Sequence, residues 1–202
     1  MSHSSKKIGT NTQLGHAGYD PLSFHGFVNP PIVRASTVLF PDAETLASEN
    51  QKYTYATHGT PTTDALCAAL TELEGAAGTV LVPSGLAAIS VPLLTFLSAG
   101  DHVLITDSVY GPTRRFANEV LPRMGVAVEY YDPLIAGDIV SLFRPETKVV
   151  FLETPGSNTF EMQDVPAIVA VCKERAIVTM IDNTWATPLF FKPIGIGADI
   201  VI

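Results

Sequence analysis

The chain has 202 residues, with 12 Lys and Arg against 20 Asp and Glu and a formal net charge of −8. That length holds one sizeable core, and an acidic balance with no basic patch beyond Arg114-Arg115 argues against nucleic acid or an anionic membrane as partner. Hydrophobic residues make up 47% of the chain and mean hydropathy is +0.27. This suits a sheet buried on both faces, yet no apolar run is long enough to span a bilayer.

In chain order, residues 1–7 are basic but lead into no apolar stretch, so no secretory leader is expected. Residues 1–60 contain Asn29-Pro30-Pro31 and Phe40-Pro41-Asp42, with little sustained periodicity. They read as an extended arm with one short helix over 42–50, N-capped by Asp42, and as a surface for a neighbouring subunit. Residues 61–202 read as one domain of alternating helices and strands. Helical spacing covers 63–73 and ends at Gly75 and Gly78. A strand is expected over 79–82, a turn at Pro83-Ser84-Gly85 and a helix over 86–97. Further strands are expected over 102–106, 126–130, 148–152 and 177–181, with helices over 114–123, 138–143 and 165–174 between them. A last apolar run, 198–202, reads as an unfinished strand. The alternation implies an α/β fold with a mostly parallel sheet covered on both faces, and ligands in such sheets bind beyond the carboxyl ends of the strands. Cys67 and Cys172 lie far apart in apolar, helix-like contexts and are expected to be reduced thiols of a cytoplasmic protein.

Three strand ends deliver polar groups to that edge. At Ser84-Gly85, small residues let backbone N–H groups approach an anion at a helix N-terminus, so phosphate is the natural guest. The same residues suit an ordinary strand–helix turn, and they lack the lysine of a Walker loop and the G-x-S-x-G of a nucleophile elbow. Tyr110, beside a Gly-Pro turn, can stack on a flat ring and offer a hydroxyl, or simply pack. Asp182 ends an apolar run, and a carboxylate there needs a partner. A helix cap or a salt bridge would serve, and so would a protonated pyridine nitrogen. No metal-ligand cluster is apparent.

A phosphate cradle, a stacking aromatic and an acid for a ring nitrogen together describe a pyridoxal-phosphate site. Tyr55-Ala56-Thr57-His58-Gly59-Thr60-Pro61-Thr62, Pro83-Ser84-Gly85-Leu86-Ala87-Ala88, Gly100-Asp101-His102-Val103-Leu104, Asp107-Ser108-Val109-Tyr110, Phe151-Leu152-Glu153-Thr154-Pro155-Gly156-Ser157 and above all Ile181-Asp182-Asn183-Thr184-Trp185-Ala186 resemble the Cys/Met-metabolism PLP-dependent enzymes. Within that family, Tyr131-Asp132-Pro133-Leu134-Ile135 and Glu153-Thr154-Pro155-Gly156-Ser157 resemble bacterial cystathionine β-lyases. The resemblance implies a three-layer α/β/α major domain of the fold type I, aspartate-aminotransferase-like class, incomplete at its C-terminus. It implies pyridoxal 5′-phosphate as cofactor and a cytoplasmic homo-oligomer, a dimer of dimers. The implied reaction is β-elimination of cystathionine, a small sulfur amino acid, to homocysteine, pyruvate and ammonia.

By the same resemblance, Ser84, Gly85 and Leu86 hold the phosphate, Tyr110 stacks on the ring and assists proton transfer, and Asp182 pairs with the ring nitrogen. Thr184 sits close behind, Trp185 lines the substrate pocket, and Tyr55 reaches the phosphate of a neighbouring subunit. Two departures stand out. Thr57 occupies a position where the family has an arginine, and neither Thr57 nor a neutral His58 reproduces a bidentate phosphate clamp. The family's Schiff-base lysine falls beyond Ile202, and Lys148, Lys173 and Lys192 are poor substitutes, so this chain alone is expected to be inactive. Other trans-sulfuration reactions (γ-synthase, γ-lyase, methionine γ-lyase, O-acylhomoserine sulfhydrylase) and a non-catalytic nucleotide-binding module stay open as alternatives.

Overall fold

The computed structural model describes residues 8–202; the leader-like stretch 1–7 considered above lies outside them. The chain forms two compact units, one ending at Leu81 and one running from Val82 to Ile202.

The first unit contains helices α1 (Thr10–His16), α2 (Ala43–Ser48) and α3 (Pro61–Glu74), and a 3-10 turn at Pro21–Phe24. Helix α2 starts where the sequence places it, because the Asp42 carboxylate accepts from Thr45 N–H at 2.7 Å. Helix α3 is bounded on both sides: Thr60 and Thr63 form a reciprocal capping box, Pro61 opens the first turn, and Gly75 ends the helix at φ 69°. The expectation of a single short helix before residue 60 is corrected by α1 and the 3-10 turn. Helix α1 has no apolar stripe to announce it and buries none of its residues. It is held from outside, by Gln13 Nε2 donating to Glu72 Oε1 at 3.1 Å. Gly18 lies so close to α3 that a Cβ there would sit 2.3 Å from the Ala65 carbonyl oxygen.

The second unit carries the sheet. Its elements in chain order are α4 (Gly85–Phe96), β1 (His102–Thr106), α5 (Gly111–Glu119), β2 (Ala127–Tyr131), a 3-10 segment (Ala136–Leu142), β3 (Thr147–Glu153), α6 (Val165–Glu174), β4 (Val178–Asp182), α7 (Thr187–Phe190), α8 (Pro193–Ile196) and β5 (Ile200–Val201). All pairings are parallel and the strand order is β2-β1-β3-β4-β5. Alternate residues feed two separate cores. Val103, Ile105, Val149, Phe151 and Met180 pack with Ile89 and Leu93 of α4 and Ala117 of α5. Leu104, Val150, Leu152 and Ile181 pack with Ile168, Val169 and Cys172 of α6. Two cores on opposite faces of one sheet make a three-layer α/β/α unit, as the continuous apolar runs imply.

Three local expectations are corrected. Residues 79–82 form no strand: the run is apolar, but a strand exists only through a ladder, and Val80 stands 84% exposed. Helix α5 begins at Gly111, earlier than the apolar pattern suggests, because Pro112 suits the first turn of a helix. It also stops sooner, and a separate 3-10 turn follows at Pro122–Met124, where the proline has no N–H to continue the ladder. The segment 138–143 is likewise 3-10, over Ala136–Leu142. Among the described residues, no helix is long and apolar enough to cross a membrane. Both cysteines are free thiols, and burial pushes the Cys172 thiol up to about 12.

Candidate active site

The strand faces decide where the cavity lies. Phe151 and Met180 point into the core under α4 and α5, so Glu153 and Asp182, two residues further along their strands, leave the sheet on that same side. They are register partners at the carboxyl ends of neighbouring strands. Beyond them opens a cavity of about 570 Å³, lined among others by Gly85, Leu86, Tyr110, Glu153, Asp182 and Thr184. All of its lining residues belong to the second unit.

Helix α4 supplies hydrogen-bond donors to the cavity. The Ser84 hydroxyl accepts from Ala87 N–H at 3.1 Å and so caps the helix. The N–H groups of Gly85 and Leu86 are the first-turn donors left without an intrahelical acceptor. A Cβ at Gly85 would meet nothing within 4 Å, so the space above that backbone is open. The helix end therefore offers two N–H donors and a partial positive charge to an anion.

The strand ends supply acids to the same cavity. Asp182 Oδ1 accepts from Thr184 N–H at 2.9 Å, which fixes the carboxylate at the strand end. Tyr110, at the start of α5, is 48% exposed. Its backbone N–H donates to Glu153 Oε2 at 2.8 Å. Glu153 itself is only 7% exposed. Burial holds its carboxyl above the usual carboxylate range and the neighbouring Asp182 adds to that, while hydrogen bonds from Tyr110 and Ser157 pull the other way. The loops after β1 and β3 interlock: Ser157 N–H donates to the Ser108 carbonyl at 2.8 Å. A Cβ at Gly156 would come within 2.5 Å of Ser108 Cβ, so only glycine allows this approach. At the rim, Trp185 is 69% exposed and meets Phe160 edge to face, ring centroids 5.2 Å apart.

Of the residues singled out from the sequence, Gly85, Leu86, Tyr110, Asp182, Thr184 and Trp185 line this one cavity. Ser84 adjoins it, with its hydroxyl spent on the helix cap. Tyr55 lies in the first unit, where its ring meets His58 edge to face with centroids 6.0 Å apart. Among the described residues no lysine lines the cavity. Lys173 instead lies against Gly197 and Lys192 precedes α8. Among the described residues no group of three His, Cys, Asp or Glu could hold a metal ion. Arg114 is not part of a basic patch: it pairs with Asp107 at 2.6 Å and stacks over Tyr130. Sequence reasoning missed Glu153 and Phe160 as site residues. Glu153 carried a usable signal, since it ends an apolar strand just as Asp182 does.

The donor set suits pyridoxal phosphate. Helix-end N–H groups match a phosphate, an aromatic side chain matches a flat ring, and a carboxylate in the same cavity matches a protonated ring nitrogen.

Comparison with known proteins agrees with this chemistry. A family model described as Cys/Met metabolism PLP-dependent enzyme matches residues 11–202. A Rhizobium johnstonii protein that carries a provisional cystathionine β-lyase name is 61% identical over 98% of this chain and 50% of its own length. Cystathionine β-lyase MetC of Escherichia coli is 43% identical over 95% of this chain and 50% of its own length. Among solved structures, cystathionine γ-lyase from Lactobacillus plantarum superposes with a TM-score of 0.89 at 31% identity, over 96% of this chain and 49% of that one. The chain thus spans about half the length of the relatives it matches.

Proposed function

Since the chain belongs to the Cys/Met metabolism PLP-dependent enzyme family, we propose that it forms the cofactor-binding part of a carbon–sulfur lyase of the cystathionine β-lyase type. The observation that carries this reading is the single cavity that brings the α4 N-terminus, Tyr110 and Asp182 together. The β-lyase names of similar proteins support this substrate class; in this reading cystathionine, a small sulfur amino acid, is split to homocysteine, pyruvate and ammonia.

In this reading pyridoxal 5′-phosphate, when bound, supplies the electron sink for the pair left when a proton leaves the carbon beside the substrate amine. The protein binds, orients and tunes. Gly85 and Leu86 offer their N–H groups to the phosphate, with Ser84 keeping the helix end in place. Asp182, held by Thr184 N–H, keeps the ring nitrogen protonated. The Tyr110 ring would contact the bound cofactor, and its hydroxyl would be available to hold or move a proton. Trp185 and Phe160 shield the mouth and meet the substrate.

The first unit supports a proposal about assembly. Every buried apolar side chain among the described residues lies in the second unit, whereas Leu22, Val28 and Leu39 of the first are 87%, 81% and 86% exposed. A neighbouring copy covers them, Tyr55 serves that copy's phosphate, and the assembly is a dimer of dimers. Two free thiols suit a cytoplasmic enzyme. With no lysine among the described residues lining the cavity, the 202-residue chain alone is inactive in this reading, and turnover by a length-verified sample would overturn that statement.

A second reading, γ-elimination, draws on the likeness to the Lactobacillus γ-lyase. Cystathionine given to the full-length protein separates the two: β-elimination yields pyruvate, and predominant α-ketobutyrate would replace the β-lyase assignment with a γ-lyase.

A further inference from the structure

Resting on the cofactor reading above, we propose that Glu153 is a positioning residue, which holds Tyr110 over the cofactor and places a second carboxylate beside Asp182. Four observations carry this. Glu153 is nearly fully buried, yet among the described residues it forms no ion pair. A buried carboxylate without a cation is costly, so its place at a cavity points to a task there. Its Oε2 accepts from the Tyr110 backbone N–H at 2.8 Å, so the side chain that ends β3 fixes the residue that opens α5. It stands in register with Asp182 at the end of the adjacent strand, and both line the cavity.

The backbone of Glu153 is itself braced. Gln163 Nε2 donates to the Glu153 carbonyl at 2.7 Å, and the buried Tyr131 hydroxyl reaches Gln163 Oε1 at 2.8 Å. Two strands thus deliver two carboxylates to one wall, and each has a separate job. Asp182 meets the ring nitrogen. Glu153 anchors Tyr110 and adds negative charge behind Asp182, which favours the cationic ring.

The groups that face Glu153 are Tyr110 on the α5 side, Ser157 on the loop after β3 and Asp182 on β4, and Asp182 is the one charged group among them. Burial first, and Asp182 after it, hold the Glu153 carboxyl above the usual carboxylate range. As pH falls through that raised value the carboxylate is neutralised. The N–H bond to Tyr110 then loses its charge assistance and the ring cation loses a partner.

The test is the affinity of the full-length protein for pyridoxal 5′-phosphate, read from its visible absorption as pH is lowered stepwise from neutrality. The unsubstituted protein is compared with Glu153→Gln, which keeps an acceptor for Tyr110 but no charge, and Glu153→Ala, which keeps neither. Melting of the cofactor-free proteins checks that each variant is folded. At neutrality the unsubstituted protein binds about tenfold tighter than Glu153→Gln. The gap narrows as pH falls, because Glu153 itself becomes neutral. Glu153→Ala binds more weakly than Glu153→Gln at every pH. A gap that is absent or constant with pH, or equal affinities for the two variants, overturns the inference alone. No binding by the unsubstituted protein overturns both the inference and the cofactor reading.

Discussion

At the amino-terminal side of the parallel sheet, His102, Thr147, Glu129 and Arg144 cluster together, with His102 Nε2 near a carboxylate but without a hydrogen bond to it. His102 Nδ1 lies 2.8 Å from Thr147 Oγ1, its Nε2 lies 3.4 Å from Glu129 Oε2, and Arg144 pairs with the same carboxylate. At the carboxyl-terminal side, Glu153 and Asp182 face a cavity with no cation among the described residues. The same strands connect the two ends, so the sheet imposes neither arrangement. Charged groups that meet partners of opposite sign within the protein serve stability. Helix-end donors and strand-end acids that line one cavity without a cation among the described residues leave room for a ligand to complete them. The difference separates a structural charge cluster from a binding one without reference to any relative.

The comparison breaks most readily at Asp182. Asp182→Ala in the full-length protein is expected to weaken pyridoxal 5′-phosphate binding roughly 100-fold, since truncating one member of a buried charge pair costs several kcal/mol. Its melting temperature without cofactor should change little. At the opposite end, Thr147→Val should do the reverse. It removes the hydroxyl that meets both His102 Nδ1 and Arg144 N–H, and leaving buried polar groups unpaired costs about 2 kcal/mol. Urea denaturation reads the loss, while cofactor affinity stays unchanged. A third variant, Ser84→Ala, removes the cap of α4 and should cost about 1 kcal/mol, whereas Ser84→Gly should cost only a few tenths.

The smallest expected effect is on the pH dependence of stability, and its sign differs between the two ends. Burial, and then the Arg144 cation, hold the His102 imidazole below its ordinary 6.5, with Glu129 opposing. The unfolded chain therefore binds the proton first as pH falls. Stability is fully present above that ordinary value and is lost as pH falls toward the lower folded one. Glu153 behaves oppositely: its folded carboxyl keeps a proton above its ordinary 4.5, so its contribution falls as pH rises from that value through the raised one. His102→Gln should flatten the first slope and Glu153→Gln the second. Urea midpoints measured across pH check both, and slopes of the same sign would contradict the distinction between the two ends.

Much of this unit was legible in the sequence because its strands are continuous apolar runs with clear ends. The strand read over 102–106 and the helix read over 165–174 coincide with β1 and α6. Asp182 was legible for the same reason, as an acid that interrupts such a run. Elements that depend on contacts far along the chain were not legible. Helix α1 has no apolar stripe and rests on a side-chain bond to Glu72. Residues 79–82 carry strand-like side chains and find no ladder. Glu153 ended its strand in plain view, yet its burial and its bond to Tyr110 arise only when β1 and β3 pair. The rim contact between Phe160 and Trp185 depends on a loop in which Asn158 and Phe160 adopt positive φ, a conformation that their side chains do not announce.

If the cavity at the carboxyl edge holds pyridoxal phosphate, Asp182 is the acid on which its binding depends most. A titration of pyridoxal 5′-phosphate into the full-length protein, its Asp182→Ala variant and its Thr147→Val variant tests this directly. The account predicts tight binding by the unsubstituted protein and by Thr147→Val, and roughly 100-fold weaker binding by a folded Asp182→Ala. Equal affinity in Asp182→Ala and the unsubstituted protein would contradict it.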